Sequence, residues 1–342
     1  MTDPETQREA DQLDGVPPPE ASEHLIGHDD VVLRLRKQIE GGRLASGILL
    51  HGPRGIGKAT LAFETIVELI AATGDEPAER VRAQVAAGSH PNVFVLRIPR
   101  EDGRFKTEIR IGDVRHLIER LHQTRGRAGH RAVVIDAAED CNKSAANALL
   151  KILEEPPAEC HFFLISHQPG RLLPTIRSRC QSYAMRPLSE TQLAEFAGSA
   201  GDATPTELGL ASGNPRRLCE LKALGDTGLI ERVRQWLENP LDASDTLTLS
   251  ISRDLADRQA VASEAFVRRL LLDWIADEAR AAATSETGET KRLASASALW
   301  EKANRSFTET DIFNLDLSAT YLTLFDAISA HMRLGAGILT AP

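Results

Sequence analysis

Four short apolar runs punctuate the first half of the chain: Gly47-Ile48-Leu49-Leu50, Val93-Phe94-Val95-Leu96, Ala132-Val133-Val134-Ile135 and Phe162-Phe163-Leu164-Ile165. Unbroken apolar runs of this length suit strands that are buried on both faces of a sheet. Between them the spacing turns helical. Val31, Leu35 and Ile39 mark an amphipathic helix ahead of the first strand, and Leu61-Ala62-Phe63 with Ile66, Val67 and Ile70 mark one after it. Gly112-Asp113 opens another, carrying Val114, Leu117, Ile118 and Leu121. Strands alternating with helices predict an α/β domain, a parallel sheet with helices on both faces.

After Pro187 the pattern changes. Ser189, with Gln192 three residues on, is a predicted N-cap, and helical spacing without strand signals continues to Pro240. From about Leu247 the reading is helical again, with Leu270-Leu271-Leu272, Trp274, Trp300, Phe325 and Ile328 as expected core residues. Ser285-Glu286-Thr287-Gly288-Glu289 reads as an interhelical loop. Residues 1–22 are acidic and carry Pro17-Pro18-Pro19, which predicts a disordered tail. The expected organisation is therefore that tail, an α/β domain over 23–187, a helical unit over 188–240 and an all-α domain over 241–342. No internal repeat is present.

A chain of 342 residues with 42% hydrophobic content supports two or three domains with ordinary cores. Lys+Arg 40 against Asp+Glu 49 gives a net charge of −9, which excludes a globally basic nucleic-acid binder and leaves room for a local basic face. Cys141, Cys160, Cys180 and Cys219 show no metal spacing, so no zinc is expected, and sparse cysteines suit a reducing cytoplasm. The acidic start argues against a secretory signal, and no run approaches the roughly 20 apolar residues of a membrane span. His122, His130, His161 and His167 share no metal spacing and are expected mostly at the surface. Trp236, Trp274 and Trp300 are expected as core anchors, because no basic cluster interleaves them.

The chemistry is concentrated between Gly52 and Thr60, which reads Gly-Pro-Arg-Gly-Ile-Gly-Lys-Ala-Thr. Gly52, Gly55, Gly57 and Lys58 fit a P-loop, which wraps nucleotide phosphates in backbone N–H groups at a helix start. A strand before it and a helix after it are the context this motif demands; the bland reading is a glycine-rich turn that binds nothing. Ala59 stands where the Mg²⁺-holding hydroxyl belongs. Thr60 does not replace it, because one residue along a helix turns the side chain by about 100°. The third strand ends in Asp136, a position where an acid helps to hold the metal in P-loop ATPases. A buried strand ending in one aspartate is common, so Asp136 alone says little. No paired metal-binding carboxylates with polymerase-like placement appear, so polymerisation by this chain is not expected.

Ser144 to Pro157, an amphipathic helix stopped by Pro156-Pro157, closely resembles a segment of bacterial clamp-loader subunits. Leu172 to Cys180 ends in Ser178-Arg179-Cys180, similar to the clamp-loader motif whose arginine reaches a neighbouring subunit's ATP site. Leu25-Ile26-Gly27-His28 and Gly88-Ser89-His90-Pro91-Asn92 match the family's connecting pieces. Gly213-Asn214-Pro215-Arg216-Arg217 resembles the lid motif that places a nucleotide-sensing arginine at Arg216. The chain thus resembles the AAA+ clamp-loader family of bacterial DNA polymerase III, in its delta-prime branch, firmly from about Leu25 to Arg217. Over the last hundred or so residues the likeness rests on helical character and length.

The resemblance implies an α/β P-loop AAA+ domain, a helical lid and an all-α collar that holds a ring together. In that family a glutamate that positions the attacking water usually follows the strand-end aspartate; Ala137 stands there. With Ala59, two pieces of the hydrolytic apparatus are missing, which points to a lapsed ATPase. Arg179 would act in trans on a gamma/tau subunit's ATP, and the bland reading of it is a surface ion pair or a carbonyl cap. Implied partners are gamma/tau and delta subunits, the sliding clamp and, through the assembly, primer-template DNA, with no membrane. The implied cofactor is ATP, accompanied by Mg²⁺ when bound. The chain departs from the branch in having no cysteine between Ala71 and Ala87, and its sensing position holds Ser166-His167. Two other readings stay open: an active ATPase in which Glu139 or Thr60 replaces the missing groups, and a nucleotide-responsive module that closes through Lys58 and Arg216 without hydrolysis.

Overall fold

A computed structural model describes residues 13, 16–22, 25–72, 76–101, 104–122, 129–284 and 290–335. The chain divides into two compact units, Met1–Cys219 and Glu220–Pro342.

The first unit runs α1 (Asp29–Glu40), β1 (Gly47–His51), α2 (Lys58–Ala71), α3 (Ala78–Ala86), β2 (Val93–Arg97), a short hairpin of β3 (Arg100–Glu101) and β4 (Arg104–Phe105), α4 (Ile111–His122), β5 (Arg131–Asp136), α5 (Lys143–Glu154), β6 (Cys160–Ser166), α6 (Pro174–Arg177), β7 (Gln181–Ala184), α7 (Glu190–Ala200), α8 (Pro205–Ala211) and α9 (Pro215–Leu224), which continues into the second unit. Five strands form a parallel sheet in the order β2-β5-β6-β1-β7. The four expected strands are its centre and one edge. The fifth, β7, has no apolar run, because at the other edge only Tyr183 is buried.

Alternation along each strand divides the core into two layers. Leu49, Val133, Ile135, Phe162 and Leu164 face one layer with Leu117 of α4 and Leu149 of α5. Ile48, Leu50, Val134, Phe163 and Ile165 face the other with Leu61, Phe63 and Ile66 of α2. Burial on both sides explains why the runs are uninterrupted rather than alternating. α7 opens with the expected capping box, in which the Ser189 hydroxyl accepts from Gln192 N and the Gln192 side chain accepts from Ser189 N.

Two expectations for this unit are corrected. The disordered tail does not extend to residue 22, since Pro19–Ala21 forms a 3-10 turn. Glu20 is buried there and accepts from both terminal nitrogens of Arg97, at 2.9 and 2.8 Å. Residues 1–12 lie outside the described residues. His161 is not at the surface. It is buried, its Nδ1 lying 2.9 Å from the Ala45 carbonyl oxygen and its Nε2 3.1 Å from His130 Nδ1.

The second unit contains α10 (Gly228–Glu238), α11 (Asp245–Leu255), α12 (Val261–Thr284), α13 (Thr290–Phe313) and α14 (Leu317–Gly335). The boundary expected at 240 falls instead within α9. α10 belongs with the C-terminal helices because Trp236 packs on Phe325, ring centroids 4.4 Å apart, and donates to Thr248 Oγ1 at 2.9 Å. Leu271, Phe325 and Ile328 are buried as expected, whereas Trp300 is 45% exposed on α13 and is not a core anchor. The loop expected at 285–289 lies outside the described residues. An α/β domain built on a parallel sheet, followed by an all-α C-terminal region, is the observed fold class. No helix among the described residues is long and apolar enough to cross a membrane.

Candidate nucleotide site

β1 ends at His51, and the chain turns through Gly52 to Gly57 before α2 begins at Lys58. Gly52 N donates to the Ser166 carbonyl at 3.2 Å, tying the loop to the end of β6. Two glycines are required by close approach. With φ of 149° at Gly52, a Cβ would sit 2.2 Å from the Met185 carbonyl oxygen. With φ of 80° at Gly55, it would sit 2.6 Å from Arg216 Cβ and from Asn214 Oδ1. Gly57 is the left-handed N-cap of α2. Across the loop, His28 Nε2 lies 2.7 Å from the Ile56 carbonyl oxygen.

Lys58 is 3% exposed, and its ammonium donates to the Gly52 and Pro53 carbonyls at 2.9 and 2.5 Å. Burial pushes its pKa down to about 8, with Asp136 and Glu139 offsetting part of the drop. Ala59 packs at the margin of the apolar layer around Leu50 and Leu61 and offers no oxygen. Thr60 is half-buried in the first turn of α2. Asp136 ends β5 opposite Arg97, Oδ2 to Nε 4.0 Å, and Ala137 is buried beside it.

Glu139 is a part of the site whose role cannot be read from the sequence. Its Oε1 accepts from His167 N at 2.7 Å and Gln168 N at 3.0 Å, so this carboxylate pins the segment after β5 to the end of β6. Ser166 Oγ and His167 Nδ1 are buried there without a hydrogen-bond partner among the described residues. Asn214, preceding α9, donates to the Arg54 carbonyl at 2.7 Å, and Arg216 N donates to the Gly55 carbonyl at 3.2 Å. The lid motif therefore rests on the P-loop itself. Gly52, Gly55, Gly57, Lys58, Thr60, Asp136 and Arg216 belong to one neighbourhood. Glu139 and Asn214 join it through contacts distant in sequence, Glu139 with the backbone of His167 and Gln168 and Asn214 with the Arg54 carbonyl.

Arg179 stands apart from this neighbourhood. A Cβ at Gly47, the first residue of β1, would lie 3.0 Å from the Arg179 carbonyl oxygen, whereas the P-loop leaves the opposite end of that strand. The guanidinium is exposed, donating to the Thr175 carbonyl at 3.0 Å and pairing with Glu154 at 2.6 Å.

His167 gives a pH test of the site. Burial first, then the charges of Lys58, Arg54 and Arg216, push its pKa from 6.5 down to about 3. A histidine held neutral on folding takes up its proton only when the chain unfolds, so stability falls as pH drops from about 6.5 toward 3. His167→Gln is expected to flatten that fall. The readout is the calorimetric transition that tryptophan fluorescence does not follow, since Trp236, Trp274 and Trp300 all lie in the second unit. An unchanged pH profile would refute the assignment.

Residues 27–189, which take in the P-loop, Asp136 and Arg179, match the family described as DNA polymerase III, delta subunit. The chain is 37% identical over 219 residues to DNA polymerase III subunit delta' of Pseudomonas aeruginosa, covering 60% of this chain and 66% of that protein. It is 34% identical over 191 residues to DNA polymerase III subunit delta' of Escherichia coli, covering 55% of each. It is 28% identical over 169 residues to DNA polymerase III subunit tau of Bacillus subtilis, covering 48% of this chain and 29% of that protein. The matched stretch thus spans just over half to just under two thirds of these two delta' relatives. A P-loop on a five-stranded parallel sheet, the Ser-Arg-Cys motif at its far end and these likenesses agree: the chain is similar to the delta-prime subunits of DNA polymerase III.

Proposed function

We propose that this chain is a structural, non-hydrolysing AAA+ subunit of the DNA polymerase III clamp loader, working in the cytoplasm with gamma/tau and delta subunits. In this reading it helps to load the sliding clamp onto primer-template DNA and lends Arg179 to the ATP held by an adjacent gamma/tau subunit. The observation that carries the proposal is the state of its own site. Ala59 and Ala137 remove the metal-holding hydroxyl and the water-positioning carboxylate, and Glu139, the nearest substitute, is committed to the backbone of His167 and Gln168. That commitment weighs against an active ATPase.

The isolated chain is expected to hydrolyse ATP at background level and to gain no turnover from DNA. In a mixture with gamma/tau and delta it is expected to enter a stable assembly, read by native mass measurement. Steady hydrolysis by the pure chain, abolished by Lys58→Ala, would overturn the proposal, as would failure to assemble.

A further inference from the structure

In P-loop NTPases the divalent cation touches the protein through the hydroxyl after the lysine and is held from the other side by the strand-end acid, the remaining places going to water and phosphate oxygens. That donor set does not fit here. Ala59 has no oxygen to offer, Asp136 faces Arg97, and Glu139 Oε1 accepts two backbone N–H groups. The phosphate-binding part, by contrast, is in place. The loop glycines keep their required conformations, and Lys58 sits at the start of α2. Of the three ammonium donors on Lys58, two go to Gly52 and Pro53, leaving the third for a phosphate oxygen.

We propose that this P-loop binds a nucleoside di- or triphosphate free of divalent cation, and that Mg²⁺ competes with the pocket for the phosphates instead of bridging them to it. The inference rests on reading the loop as a nucleotide site. Three cationic residues meet at the loop: Arg54 within it, Lys58 with its ammonium on the Gly52 and Pro53 carbonyls, and Arg216, whose backbone N donates to the Gly55 carbonyl. A metal-free polyphosphate carries more negative charge than its Mg²⁺ complex and gains more from those cations. Ser166 Oγ and His167 Nδ1, both buried without a partner among the described residues, add neutral hydrogen-bonding groups at the end of β6, the strand that receives Gly52 N–H. In an ordinary P-loop the metal offsets phosphate charge; here fixed side chains do so, while Ala59 offers the metal no oxygen and Glu139 Oε1 is taken by two backbone N–H groups.

The test is isothermal titration of the full chain with ADP and with ATP, once in EDTA and once in excess Mg²⁺. Binding is expected in EDTA, weakened severalfold by excess Mg²⁺. Lys58→Ala is expected to lose about tenfold or more in both solutions, the loss of one charge-assisted contact. Ala59→Thr restores the missing hydroxyl and is expected to reverse the preference, so that Mg²⁺ tightens binding. Binding only with Mg²⁺, no binding in either solution, or an Ala59→Thr variant with unaltered metal preference would each overturn the inference. None of these outcomes touches the role of Arg179, which is read from a partner's turnover.

Discussion

If Arg179 acts in trans as proposed, Arg179→Ala is expected to slow ATP hydrolysis at an adjacent gamma/tau site by about 10³ or more, while the assembly stays intact. Arg179 sits by the start of β1, with its own P-loop at the other end of that strand, so an action on nucleotide must be on a neighbour's. Its present contacts leave it available. The Thr175 carbonyl takes one N–H, and the Glu154 pair is exposed on both sides. Exposed pairs of this kind contribute about 0–1 kcal/mol, less than a desolvated guanidinium gains against phosphoryl charge. Arg179→Lys keeps the charge but loses the planar fork of donors, and is expected to recover only part of the rate. Glu154→Gln separates the two roles of the arginine. If the pair merely braces the surface, Glu154→Gln reproduces the Arg179→Ala defect; if Arg179 acts in trans, turnover is unchanged. Single-turnover hydrolysis by an assembly of gamma/tau, delta and this chain makes the measurement, and an intact assembly with unaltered DNA-stimulated turnover refutes the role.

What the sequence discloses and what it hides follow one physical division. Strands buried on both faces announce themselves as apolar runs, and so the four inner and edge strands from β1 to β6 are legible. β7, Gln181–Ala184, is not legible, because an edge strand with one buried side chain has no pattern to display. The P-loop is legible because its chemistry is contiguous. The contacts of Glu139 and Asn214 are not legible, since each acts on backbone atoms that only the fold brings near. The pairing of Glu20 with Arg97 likewise overrides a composition that by itself predicts disorder. Trp300 and His161 fail in opposite directions. A helix with an apolar count sufficient for packing can still leave one large ring outside, and a histidine can be buried when a carbonyl and a second imidazole satisfy both its nitrogens.

The same division locates the largest stability effect in the second unit, on a polar network that no periodicity reveals. Glu264 of α12 is 8% exposed and accepts from the Tyr321 hydroxyl of α14 at 2.7 Å and from Arg268 Nε at 3.0 Å. Arg268 also donates to Asp311 of α13 at 2.7 Å and lies over the Phe307 ring, 4.6 Å from its centroid. The Glu264 carboxylate therefore ties α12 to α14 directly, and through Arg268 the same network reaches α13. Burial and the neighbouring Glu264 carboxylate push the Tyr321 hydroxyl pKa far up, so it stays a donor at all working pH values. Glu264→Ala leaves that fully buried hydroxyl without its acceptor and Arg268 with a single, exposed partner. Removing one member of such a buried set costs about 3–5 kcal/mol, whereas Tyr321→Phe removes a donor together with its need for a partner and costs about 1 kcal/mol. Urea unfolding followed by tryptophan fluorescence reads this unit alone, since all three tryptophans lie within it. The expected order of midpoints is natural chain, Tyr321→Phe, Glu264→Gln, Glu264→Ala, because glutamine keeps an acceptor for Tyr321 and loses only the charge facing Arg268. Were Glu264→Ala no less stable than Tyr321→Phe, the ionic part of the network would contribute nothing, and the apolar contacts of Phe307, Phe325 and Leu271 alone would hold the helices in place.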